Sequence, residues 1–218
     1  MGTTLVSTVL TKVQNSLNDT APSPRWSVTG LLIPYINDGM LELARLTRDA
    51  YVVRRAFQLK AGLTLQQGVL PGDTIEVLSV VRNMGTDGNS PGRTISEVGL
   101  REMDAVDRDW HMRAAHEPDN DIVNWIRDTE DFQSFYVYPK PSQSKQVWVE
   151  IKFKEVPPAV AATTDVIPTA DKYRFQLQLY VAGSALLQDV EFGNQPRGVQ
   201  YLNLFYSSLG AQPPARAA

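Results

Sequence analysis

Residues 3–17 read TTLVSTVLTKVQNSL, and Leu5, Val6, Val9, Leu10, Val13 and Leu17 recur there at helical spacing. A 3.6-residue period gathers them on one face, so the stretch predicts an amphipathic helix, with Thr3 or Thr4 placed to cap its start. A single apolar stripe cannot bury itself. A second stripe follows at once, through Val28, Leu31, Leu32, Tyr35, Ile36, Gly39, Met40 and Leu43. The others stand at the far end: Tyr173, Leu177, Tyr180, Val181, Ser184, Ala185 and Gln188, then Val199, Leu202, Phe205, Tyr206 and Leu209. Two terminal helix pairs that need each other's apolar faces predict one antiparallel bundle, built from residues 1–49 and 165–210. Pro34 interrupts the second stripe. Its ring would press on the carbonyl of Gly30, so this helix is expected to bend or to begin properly near Pro34.

Between the helix pairs the period changes. Residues 51–59, 63–66 and 74–82 are rich in β-branched and aromatic side chains and are divided by Gly62 and the Pro71-Gly72 turn, which predicts strands. Gly85, Gly88, Pro91 and Gly92 mark residues 84–93 as a long, mobile hairpin tip. Residues 100–107 predict a short helix presenting Leu100, Met103 and Val106. Strands are expected again at 122–127, 135–138 and 147–153; in the last, Val147, Val149, Ile151 and Phe153 alternate with Trp148, Glu150, Lys152 and Lys154. Residues 156–168 form a Pro/Ala/Thr connector. The reading is an α+β chain whose helical bundle carries an inserted, mainly antiparallel β domain at 50–164. Residues 211–218, with two prolines and no core-forming side chain, predict a flexible or partner-ordered tail.

Composition removes several function classes. The 218 residues contain no cysteine, which excludes disulfides, thiolate metal sites and thiol nucleophiles and fits a reducing compartment or a particle assembled inside a cell. The start shows no basic segment leading an apolar block, and no run approaches the ~20 apolar residues that span a bilayer, so a soluble protein without membrane association is expected. With 21 basic and 24 acidic side chains the net charge is −3, which gives no general grip on nucleic acid. The same balance suits a surface past which DNA slides.

No spacing assembles a catalytic centre. His111 and His116 are five apart and fall on different faces of a helix, off the i, i+4 ledge that grips a metal. Asp104, Asp107, Asp109, Glu117, Asp119 and Asp121 invite a paired-carboxylate hydrolase or a calcium loop, but the run at 119–121 lacks the glycine bend and closing glutamate. The glycines at 85, 88 and 92 miss the dinucleotide fingerprint, and no serine sits in a Gly-x-Ser-x-Gly elbow. No cofactor is expected and no enzyme activity. Trp110, Trp125 and Trp148, with Tyr136 and Tyr138, would make a carbohydrate-binding platform if exposed in a row, though single tryptophans more commonly pack a small β core. Arg45, Arg48, Arg54 and Arg55 gather where the second helix passes into the first strand, fitting either a solvated helix end or salt bridges to a neighbouring subunit.

The order of short segments adds a resemblance. Trp26-Ser27-x-x-x-Leu31, Asn37-Asp38-Gly39, Val80-Val81-Arg82-Asn83-Met84-Gly85, Asp107-Arg108-Asp109-Trp110 and Phe135-Tyr136-Val137-Tyr138-Pro139 together resemble tailed-phage head-to-tail adaptor, or connector, proteins, across most of residues 5–209. The resemblance implies a structural virion protein, assembled in the host cytoplasm and located at the head–tail junction. It implies a twelvefold ring of this chain beneath the portal protein, a tail tube or nozzle protein on the other side, and genome DNA passing through without sequence-specific binding. On this reading Gln212, Pro213, Pro214 and Arg216 meet the portal. Arg45, Arg48, Arg54 and Arg55 serve subunit contacts, and Thr86, Asp87, Asn89 and Arg93 reach a tail protein or a neighbour. A net-acidic subunit is expected to be a monomer in dilute solution and to close its ring on a preformed one.

Overall fold

The computed structural model describes residues 2–20, 24–113, 121–189 and 194–212. Its helices are α1 (Val6–Leu17), α2 (Ile33–Leu46), α3 (Leu100–Val106), α4 (Arg174–Gln188) and α5 (Gln195–Ser208). Its strands are β1 (Val52–Gln58), β2 (Leu65–Gln66), β3 (Thr74–Asn83), β4 (Ser96–Glu97), β5 (Asn124–Arg127), β6 (Phe135–Tyr138) and β7 (Trp148–Glu155). The fold is mixed α+β, and the chain divides into two compact units, residues 1–51 with 156–218 and residues 52–155.

In the first unit α4 is the shared element, touching α1, α2 and α5. Leu177, Val181 and Ala185 are buried as the stripe requires, and Leu179, Ala182 and Leu186 are buried beside them. Glycine sets how closely its neighbours come. A Cβ on Gly198 would lie 2.9 Å from both the Gly183 carbonyl oxygen and the Leu187 backbone nitrogen, so α5 meets α4 backbone to backbone. A Cβ on Gly39 of α2 would lie 2.7 Å from Leu177 Cδ1, at the yielding end of a side chain. Tyr206 fastens α5 to α2 by donating to Glu42 Oε1 at 3.2 Å. Burial and the adjacent Glu42 carboxylate push the phenol up to about 12.

The start of α2 shows what Pro34 does. Residues Val28–Leu32 wind as a π-helix, in which Ser27 caps the Gly30 amide at 3.1 Å and the Ser27 carbonyl accepts from Leu31 and Leu32. The α-helix begins at Ile33 with the proline in its first turn, where a missing amide hydrogen costs nothing. The helix thus begins near Pro34, one of the two forms expected.

Thr3 and Thr4 do not cap α1. Leu5 occupies that position and gives no side-chain bond. Instead the Asp171 carboxylate accepts from both threonine hydroxyls, at 2.7 and 2.8 Å, and from both amides. A carboxylate collecting four donors holds them more strongly than an exposed helix end does. The Thr4 and Thr3 hydroxyls hold this carboxyl well below its ordinary 3.8. The connector is equally fixed: Val6 and Ser7 amides donate to the Asp165 and Thr163 carbonyls, and the Asn37 carboxamide makes paired bonds of 2.9 and 3.0 Å to the Val160 peptide.

The second unit holds two sheets, β1-β7-β3 and β2-β6-β5-β4, antiparallel except for the β4–β5 pair. On β7 Val149, Ile151 and Phe153 are fully buried, as their alternation predicts. Alternation then stops, because Lys154 and Glu155 are buried too, beside Glu76 and Arg55 respectively. On β3 burial falls at every third residue, Thr74, Val77, Val80 and Asn83. Three register shifts against β7 each insert a residue and stretch the period from two to three. Arg127 of β5 donates to the Val77 and Leu78 carbonyls at 2.8 and 2.9 Å and pairs with Glu76, joining the two sheets.

Two outcomes follow for the first unit. Gly198→Ala should lower unfolding stability by about 2 kcal/mol, because backbone atoms cannot retreat and alanine's ~1 kcal/mol helical advantage is outweighed; Gly39→Ala should stay within about 1 kcal/mol of wild type. Equal effects in denaturant titrations would contradict the close approach of α4 and α5. Asp171 titrates lower folded than unfolded, so its contribution is fully present above 3.8 and is lost as pH falls below that through the folded value. The stability gap between wild type and Asp171→Asn should therefore narrow below pH 3.8, and a pH-independent gap would refute the threonine clamp.

Candidate functional site

Between α4 and α5 the helical unit leaves an apolar surface open. Phe175, Gln178 and Leu179 of α4 face Arg197, Gln200, Tyr201 and Leu204 of α5 across a groove of about 460 Å³, with Ser16 of α1 at its edge. Phe175 is 61% and Leu204 56% exposed. Both lie off the buried stripes of their helices, so a helical turn that packs the stripe turns them outward. Arg197 donates to the Ser16 carbonyl at 3.1 Å, tying α5 to the end of α1. Gln178 Nε2 is buried there with no acceptor among the described residues. Exposed apolar side chains thus adjoin polar ones around a concave seam.

The four arginines are divided between the two units. Arg45 lies in the last turn of α2, where a cation favours the helix dipole, and with Arg48 belongs to the helical unit. Arg54 and Arg55 are consecutive on β1 in the other unit and so take opposite faces of the strand. Arg55 is engaged within the chain, 2.6 Å from the buried Glu155 and stacked over Phe153.

The segment 84–93 is a folded corner. Asp87 Oδ1 accepts from the Asn89 and Ser90 amides at 3.0 and 3.2 Å, led by the Asn89 bond in holding the carboxyl below its usual range. Gly88, at φ +74°, is buried where a Cβ would come within 2.8 Å of the Trp148 ring. The returning arm is brief, bonding Asn83 to Arg93 and Ile95 to Val81 before the chain leaves for β4 in the other sheet. The loop thus sits at the tip of a hairpin, as its glycines and proline predict, and the hairpin is short because the chain exits to β4. Thr86, Asp87, Asn89 and Arg93 are exposed, and Arg93 lies 3.8 Å from Asp121. Of the expected portal-facing residues Gln212 is exposed after α5; Pro213, Pro214 and Arg216 lie outside the described residues.

Several side chains of the competing readings are engaged within the chain. Asp104 accepts from Trp110 Nε1 at 2.9 Å, and Asp107 pairs with Arg113 at 2.7 Å, so these carboxylates close local turns. Glu117, Asp119 and His116 lie outside the described residues, among which no cluster of three or more acidic or histidine side chains is placed to hold a metal. Trp110 and Trp125 are buried, at 0 and 1% exposure, and Trp148 is spent covering Gly88. The carbohydrate platform is therefore not formed: these indoles pack the β unit. No helix among the described residues is long and apolar enough to cross a membrane.

A family model described as SU10 adaptor protein matches residues 4–218. The chain belongs to that family of phage head-to-tail adaptors. A comparison with curated proteins gives no match. Membership gives this adaptor a structural role in the virion and implies interaction with portal and tail components.

Proposed function

We propose that this adaptor forms a twelvefold ring between the portal and the tail tube or nozzle, lining the channel through which DNA leaves the head. In this reading the terminal helix pairs act as one bundle carrying the β-rich segment as an insertion. The residues from Gln212 onward order against the portal. The observation that carries the reading is the match of an adaptor family over residues 4–218, nearly the whole chain. Two features of the molecule support it. Phe175 and Leu204 stay exposed around a seam that a neighbouring subunit would cover. Asp104 and Asp107 are engaged in local turns, and Trp110 and Trp125 are buried in packing.

Ring formation on a template follows from weak pairwise contacts raised to high local concentration by docking. The isolated chain should sediment as a monomer and, mixed with portal rings, should co-sediment at a fixed ratio of one ring of adaptors per portal. Phe175→Ser with Leu204→Ser should leave the melting transition within about 0.5 kcal/mol, as exposed positions allow, and should abolish that co-sedimentation. Undiminished loading by the double variant, or no loading by wild type, would overturn the proposal.

A further inference from the structure

Lys60, His111 and Lys140 converge on a second concavity, in the β-rich unit, of about 390 Å³ and walled by Leu63, Thr64 and Leu65. Its parts come from the ends of β1 and β6, the start of β2 and the turn after α3. The backbone beneath the cations is fixed. Gln66, fully buried, accepts from the Lys60 amide at 2.7 Å and donates to the Lys60 carbonyl at 3.2 Å, and the Lys140 amide donates to the Arg113 carbonyl at 3.0 Å. The His111 ring stacks on Trp110 with centroids 3.6 Å apart, and its Nδ1 lies 3.4 Å from the Thr64 hydroxyl.

The charged ends are another matter. Arg55, Arg82, Arg113 and Arg127 of the same unit each have a carboxylate partner. Among the described residues neither the Lys60 nor the Lys140 ammonium has one, although Lys140 is half-buried. Two cationic side chains lining one concavity make it complementary to an anion. The wall decides which anion. Leu63 is 52% exposed at the rim, so the pocket offers an apolar contact beside the cations. A phosphate-tracking surface would instead present a row of cations along a backbone-length path.

We propose that this pocket binds an acidic segment of a partner protein, one whose Asp or Glu carboxylate meets Lys60 and Lys140 while an adjoining aliphatic side chain covers Leu63. The site stands on the geometry of the β-rich unit alone and does not depend on ring formation. It is tested on the full, isotopically labelled chain by NMR titration with four probes: the blocked peptide Leu-Glu-Glu-Leu, its Leu-Gln-Gln-Leu counterpart, a short DNA duplex and inorganic phosphate. The glutamate peptide should shift the amides of Leu63, Thr64 and His111 saturably. The glutamine peptide should bind about tenfold more weakly, as should the glutamate peptide to Lys60→Met with Lys140→Met, which retains the aliphatic stems. Equal shifts from both peptides on the wild-type chain would overturn the proposal whether or not the double variant folds. Tighter, salt-sensitive binding of the duplex would replace it with a nucleic-acid site, and saturation by inorganic phosphate without response to the glutamate peptide would reduce it to a bare anion site.

Discussion

The helical unit depends on how closely α4 is approached. Glycine in a helix sacrifices about 1 kcal/mol of propensity relative to alanine, yet Gly39, Gly183 and Gly198 all sit inside helices of this unit. What they gain is contact: α5 lies against the α4 backbone, and α2 reaches Leu177 and Tyr180. Burying a leucine or valine contributes roughly 2 kcal/mol. Seating Leu177, Leu179, Val181 and Leu186 together thus outweighs three poor helix formers. The N-terminal segment is drawn into the same body by Asp171, at the threshold of α4, and by the connector bonds to Asn37.

This arrangement explains which parts of the fold were legible in the sequence. α1 was, because it is covered on one side and its stripe is complete. α4 was read only in part: a one-stripe pattern selects Leu177, Val181 and Ala185 and passes over Leu179, Ala182 and Leu186, which are buried because helices touch α4 on more than one side. On β7 alternation predicted Val149, Ile151 and Phe153. The burial of Lys154 and Glu155 rests on Glu76 and Arg55, partners brought by topology and invisible to local pattern. The threefold burial period of β3 comes from bulges that no residue type announces.

The candidate surfaces follow the same division. Phe175 and Leu204 carried only a partial signal, since an apolar residue off its helix's stripe is either exposed, as these are, or covered by a further helix, as Leu179 and Leu186 are. The Lys60, His111 and Lys140 pocket carried none, because four separate segments build it. The sequence did place the exposed corner at 84–93. It did not show that Gly88 seats on Trp148.

The central physical claim is that segments from both ends of the chain fold as one cooperative body around α4. Native-state hydrogen exchange tests it most directly. Amides of α1, α2, α4 and α5 should exchange through one shared opening with a common free energy and a common denaturant dependence. Exchange of α5 through a separate, lower-energy opening that leaves α1 and α4 protected would contradict the claim.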